Sequence, residues 1–227
     1  LGVSSFATLS TGEKIPSQNF LKKQLRKLKY QQRFLKNKKK GSNNSRKQHN
    51  HIARIHARIR NQRSDWLHKL SNQLTNDYDV ICVEDLKVRE LLEKKQLSRS
   101  IADQGWGMFV GQLAYKAVLK GKHLTKINTY LPSTKTCSCC GHERKMKLSD
   151  RVYICENSRC ADYLKTKDRD HNAAINIHVW GLMATENIRI NTPGTGGIKA
   201  CGDTITDYCY IDNQVSTKQE IARLKIV

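Results

Sequence analysis

Acidic side chains are scarce in this 227-residue sequence: 20 Asp and Glu stand against 41 Lys and Arg, a formal charge of +21. That imbalance argues against a neutral small-molecule substrate and makes a polyanion, nucleic acid first, the expected partner. Long apolar runs are missing as well. The longest uncharged stretch, His171 to Thr185, contains Asn and His and falls short of the roughly 18 residues that span a bilayer. An anionic membrane surface could attract the same charge, but it usually needs an apolar anchor that the sequence does not offer. No signal peptide and no internal repeat are visible. The first residue is Leu1 rather than Met, so the natural N-terminus is expected upstream.

Cysteine is not scarce. Four of the eight sit in a compact two-cluster array that suits metal better than disulfides, which implies a reducing, cytoplasmic setting. Cys137-Ser-Cys-Cys140 and Cys155-Glu-Asn-Ser-Arg-Cys160 are separated by 14 residues. Two thiolate pairs joined by a hairpin match tetrahedral zinc, which closes small modules that lack a core of their own. The expected ligands are Cys137, Cys140, Cys155 and Cys160, with Cys139 as an alternative. A closed four-thiolate site leaves no position for water, so this zinc is structural rather than catalytic. His142 reads as a neighbour of the site, not a ligand.

Along the chain, Phe6 to Leu9 and Lys14-Ile15 read as a short hairpin around Thr11-Gly12. From about Gln18 to Asn76 the pattern turns helical: Leu21, Leu25, Leu28 and Leu35 stripe one helix, Ile52, Ile55, Ile59, Trp66 and Leu70 a second, with a turn at Gly41 to Asn44. Between Lys22 and Lys69 lie 17 Lys or Arg and one acid, Asp65. A nearly pure positive hairpin without salt-bridge partners points to phosphate contact, with Arg54, Arg58, Arg60 and Lys69 as candidates. Val80 to Val83 is a buried strand ending at Glu84-Asp85, a polar connection runs through Ser100, and one amphipathic helix is expected from Asp103 to Lys120. Leu124 to Tyr130 reads as a strand, Asp170 to Met183 as a helix, and Asn191 to Gly202 as irregular.

Glu84 closes a strand, and Asp168 and Asp170 open a helix. Two-metal nucleases need several carboxylates converging on cations roughly 4 Å apart, and strand ends and helix starts can converge in this way. Each acid taken singly could equally be an N-cap or a loop residue.

The order of these parts resembles the TnpB (OrfB) family of insertion sequences, relatives of type V CRISPR effectors. The matching residues are Val83-Glu84-Asp85-Leu86, Gly105-Trp106-Gly107, the run Pro132 to Gly141, the second cysteine pair, and Asp168 to Ile177. The opening Leu1 to Ala7 and Gly197 to Gly202 also look like the family. The resemblance implies an α/β, RNase H-like (RuvC) fold with a basic helical hairpin insertion and an inserted four-cysteine zinc ribbon. The implied divisions are 1–131 for the first part of the core (hairpin about 17–76), 132–165 for the ribbon, 166–190 for the last catalytic helix and 191–227 for a tail. It implies an RNA-guided DNA endonuclease that uses guide RNA and magnesium, two ions, with Glu84 as second and Asp170 as third carboxylate and Asp168 auxiliary. In the family the first carboxylate directly precedes the Leu-Gly match, one residue before Leu1, so this sequence is expected to be an N-terminally truncated fragment, inactive by itself. The competing reading is a nucleic-acid-binding protein without catalysis. A strand-joining transposase lacks support, for no nucleophilic Tyr sits in a His-rich setting.

Overall fold

The computed structural model describes residues 1–93, 97–147 and 149–189. Strands β1 (Ser5–Thr8) and β2 (Lys14–Pro16) pair antiparallel, with a register shift between Ser5 and Ala7. Gly12, at φ 90°, turns the chain in the left-handed region where only glycine is unstrained, and its N–H donates to the Leu9 carbonyl at 3.0 Å. The hairpin's Phe6 is fully buried and meets Trp66 and Phe109 edge-on, with centroids 4.7 and 5.0 Å away. Those rings join Leu67, Ile81 and Leu113 in the main core.

Helices α1 (Phe20–Lys36) and α2 (Asn43–Asp77) form the basic hairpin. Their apolar stripes meet in a thin seam of Leu28, Ile55 and Ile59. The Ser42 side chain caps α2, accepting from the Ser45 amide at 3.1 Å. Helix α1 has no cap of its own. Its first amides, at Leu21 and Lys22, donate instead to the carboxylate of the distant Asp103 at 2.9 to 3.2 Å, and Arg63 of α2 donates to that carboxylate at 2.8 Å. A buried acid thus ties both helices of the hairpin to the body.

Strands β3 (Val80–Glu84) and β4 (His123–Ile127) pair in parallel over their whole length, from Val80 with His123 to Glu84 with Ile127. A parallel pair needs a crossover, and three helices supply it: α3 (Val88–Glu93), α4 (Ser98–Gln104) and α5 (Trp106–Leu119). Here the sequence reading needs three corrections. The polar connection carries the short helices α3 and α4, whose apolar residues, Val88, Leu91 and Leu92 in α3 and Ile101 in α4, are too few to establish a helical period. The single helix expected from Asp103 breaks at Gly105, φ 72°, where a Cβ would lie 2.9 Å from the Cδ of Arg63. Strand β4 also stops at Ile127, not Tyr130, because Asn128 turns the chain: its side chain accepts from the Tyr130 amide at 3.0 Å and its carbonyl from Leu131 at 3.1 Å.

Strands β5 (Val152–Ile154) and β6 (Thr166–Asp168) pair antiparallel inside the cysteine module and lead into α6 (Arg169–Arg189), which runs past the expected Met183. Helix α6 lies on β3 and β4. The approach is close at Gly181, where an added Cβ would stand 2.2 Å from the Cys82 sulfur. Burial pushes the Cys82 thiol up to about 12, so it serves as a neutral packing group. Among the described residues the ladders are three two-stranded pairs, and β1 joins β3 through shared core side chains rather than through a ladder. The expected segment 191–202 and the tail to residue 227 lie outside the described residues.

Candidate active site and metal centre

A cleft of about 540 Å³ opens where β3 ends and α6 begins. Glu84 and Asp170 line it together with Leu1, Ser133, Thr134, Arg151 and Arg169. Glu84 arrives there as the last residue of a buried strand, and Asp170 from the first turn of α6. The side chain of Arg169 reaches Asp170 at 3.3 Å.

Asp168 is used differently from Asp170. Its carboxylate accepts from the backbone amides of Asp170 and His171, both at 3.0 Å, and so caps α6. Lys14 holds it from the β2 side at 2.7 Å. Partial burial pushes the Asp168 carboxyl up, but Lys14 and the two amides prevail and keep it below the usual carboxylate range. It does not line the cleft. Farther along α6, buried Asn172 donates to the Thr136 carbonyl at 2.7 Å and accepts from the Ser138 amide at 3.0 Å. Asn176 donates to the carbonyls of Ser133 and Thr136, both at 2.8 Å. The loop entering the cysteine module is thereby fixed to the helix that carries Asp170. His178, also on α6, packs against Ser10, and burial lowers its pKa to about 4.

In the module, the Sγ atoms of Cys137, Cys140, Cys155 and Cys160 all lie within 4.8 Å of one another, the one group of three or more potential metal ligands among the described residues. Tetrahedral zinc with Zn–S bonds of about 2.3 Å would set the sulfurs roughly 3.8 Å apart. The Cys140 and Cys155 sulfurs are 3.6 Å apart, far beyond the roughly 2.05 Å of a disulfide. Burial pushes the Cys137 and Cys155 thiols up; it does the same to Cys140, but the His142 backbone hydrogen bond and neighbouring side chains prevail there and draw that thiol below its ordinary value. The residues present therefore fit zinc. The long gap before Cys160 does not keep it away, because its amide closes a turn onto the Asn157 carbonyl at 3.0 Å. Cys139 is buried but outside the four-sulfur group. His142 contributes its carbonyl, which accepts from the Cys137 amide and the Tyr153 hydroxyl, both at 2.9 Å.

On the basic hairpin, Arg54, Arg58 and Arg60 are exposed, as is Lys69. They do not form one row. At 100° per residue, Arg54 and Arg58 share one flank of the buried Ile55 and Ile59 stripe, and Arg60 falls on the other. Lys69 is paired with Asp65 at 2.9 Å. Sequence reasoning missed Arg151 and Arg169 as cleft residues. Arg169 had a signal, its adjacency to Asp170; Arg151 had none, since only folding of the module brings it to the cleft.

Comparison with known proteins matches these parts in the same order. A family model described as a probable transposase, OrfB of IS605, matches residues 1–95, and a Cas12f1-like TNB domain model matches residues 106–177. A Streptomyces pristinaespiralis protein provisionally named an RNA-guided DNA endonuclease is 38% identical over 205 residues, 90% of this chain and 46% of that one. The similarly named InsQ of Escherichia coli is 36% identical over 192 residues, 78% of this chain and 46% of that one. The chain thus spans about half the length of the curated relatives it matches. A cryo-EM structure of a Cas12f1–guide RNA–target DNA complex shares the fold at a TM-score of 0.50 and 18% identity, covering 73% of this chain and 43% of that one.

Proposed function

The chain belongs to the TnpB (OrfB) family, and from that premise we propose that it is the nuclease portion of an RNA-guided DNA endonuclease. The observation that carries this reading is the convergence of Glu84 and Asp170 on one cleft from two different elements. A parallel strand pair with a helical crossover and an acid at the strand's carboxyl end supports an RNase H-like, RuvC-type core. On this reading the basic hairpin and the zinc ribbon are insertions in that core, with α6 as its last catalytic helix.

Glu84 and Asp170 are the carboxylates that would hold magnesium; two ions, when bound, supply activation of water and stabilisation of the leaving oxygen of a phosphodiester. Asp168 holds the start of α6 and thereby aims Asp170. Arg151 and Arg169 bring positive charge to the wall that a phosphate would approach. Two acids are fewer than a two-metal site needs. By themselves the 227 residues should bind DNA or RNA without cutting, which is the non-catalytic reading in its most specific form. The hairpin and the cleft together would face guide RNA and target DNA, with sequence chosen by base pairing.

The test is cleavage of guide-matched DNA with Mg²⁺ by a protein extended upstream of Leu1 to the length of the relatives. Glu84→Ala and Asp170→Ala should each abolish cleavage with binding nearly intact, and Asp168→Ala should be milder. Cutting by the Asp170→Ala protein at the parental rate would show that the centre lies elsewhere.

A further inference from the structure

Beyond the carboxylates, one exposed aromatic follows the strand that pairs with the Glu84 strand, outside the residues that line the cleft. Tyr130 is 78% exposed, the highest value among the large exposed aromatics of the described residues. Its place follows from the strand register. Glu84 pairs with Ile127, so the residues that follow each strand leave the same edge of the ladder: Asp85 to Lys87 from β3, Asn128 to Tyr130 from β4. Cross-bonds hold the two segments together, from the Asp85 amide to the Ile127 carbonyl at 2.9 Å and from the Thr129 hydroxyl to the Asp85 carbonyl. Three residues beyond Tyr130 the chain enters the cleft wall at Ser133 and Thr134.

A cation accompanies the ring. Lys87 Nζ lies 4.9 Å from the Tyr130 centroid and donates to its hydroxyl at 2.9 Å. It therefore grips the hydroxyl end and leaves ring surface in solvent. The ring's backbone is fixed as well, by the Asn128 side chain that accepts its amide. Glu90 approaches Lys87 at 3.5 Å, but an exposed pair of that kind is weak and yields to a phosphate. An apolar partner protein has no reason to select a lone ring beside a lysine on a chain of charge +21. An unpaired nucleotide does, because its base offers a π-face and its phosphate a negative charge.

We propose that Tyr130 and Lys87 form a binding site for one unpaired nucleotide, the base stacking on the ring and its phosphate meeting the ammonium group, next to the Glu84 and Asp170 cleft. The proposal rests on the nuclease reading for its meaning, since it would hold a displaced or single-stranded segment beside the acids. Its test does not depend on cleavage. The 227-residue chain, without Mg²⁺, would be titrated into single-stranded DNA and single-stranded RNA oligonucleotides carrying 2-aminopurine, and into the same label in duplex DNA.

Stacking should quench the label in the single strands, and Tyr130→Ala should remove the quenching and weaken binding by about fivefold to a hundredfold, the range for losing one base–aromatic stack. Tyr130→Phe should keep both, because the ring remains, and Lys87→Ala should weaken binding and flatten its salt dependence. Stronger binding of either the DNA or the RNA strand identifies the source of the nucleotide. Unchanged binding and quenching in Tyr130→Ala, equal losses in Tyr130→Phe and Tyr130→Ala, or quenching confined to the duplex would each overturn the site, leaving the cleavage result of the extended protein to decide the nuclease reading separately.

Discussion

The basic hairpin and the cysteine module are both short of core, and they are held in opposite ways. The hairpin has a three-residue seam of Leu28, Ile55 and Ile59 and relies on an anchor outside itself, the Asp103 carboxylate that receives Arg63 and the first amides of α1. The module closes on itself, with four cysteines around the fully buried Tyr153. One unit therefore depends on the state of the body, the other on its four sulfurs and the ion they fit. The contrast shows where each can fail.

The largest effect is expected in the module. Structural zinc contributes an apparent folding free energy of about 10–16 kcal/mol in small zinc modules, so chelation under reducing conditions should unfold the Tyr153 environment while the helicity of α1 and α2 survives. Metal analysis should find about one zinc per chain. A module that stays folded with no zinc would erase the contrast. Next comes the hairpin anchor: Asp103→Ala should cost about 3–5 kcal/mol in urea unfolding, because it strands a half-buried guanidinium and two helix amides at once. The zinc content should not change. A loss of zinc in that variant would mean that the two units are not independently held. The smallest effect on stability belongs to the exposed arginines. Arg54→Gln with Arg58→Gln should leave unfolding within about 0.5 kcal/mol of the parent and reduce the slope of log affinity against log salt by about 0.9 per lost phosphate contact. Arg60→Gln, on the other flank, measures whether one or both sides of α2 face the polyanion; an unchanged slope in all three would make the hairpin a solvated surface.

Legibility in the sequence followed the same division. The module could be read from spacing because sulfur chemistry allows few geometries, and Cys137, Cys140, Cys155 and Cys160 do come together. The hairpin helices were readable from their periodic Leu and Ile. What anchors them was not, since Asp103 lies 82 residues from Leu21 and nothing local marks an acid as a remote cap. The same limit hid Arg151. Glu84 and Asp170 were visible as a strand end and a helix start, and of the roles the sequence left open to Asp168 the structure shows the N-cap, with Lys14 across from it. Helices α3 and α4 escaped notice because six or seven residues hold too few apolar positions to establish a helical period.

Gly181 gives α6 the character of a lever. The helix is pinned near its start by Asn172 and Asn176, and at Gly181 it bears on Cys82 with no side chain between. Asp170 stands eleven residues from that bearing point, roughly 16 Å along the axis. The gap between the two carboxylates thus depends on helix backbone resting on the Cys82 side chain of β3, as well as on the Asp168 cap at the helix start. A single methyl group at the far end of the arm would lift it, pivot it about the asparagines and change the spacing at the cleft. The site can be mistuned from a place that touches neither substrate nor acid, and a chain that keeps both carboxylates can still lose their alignment.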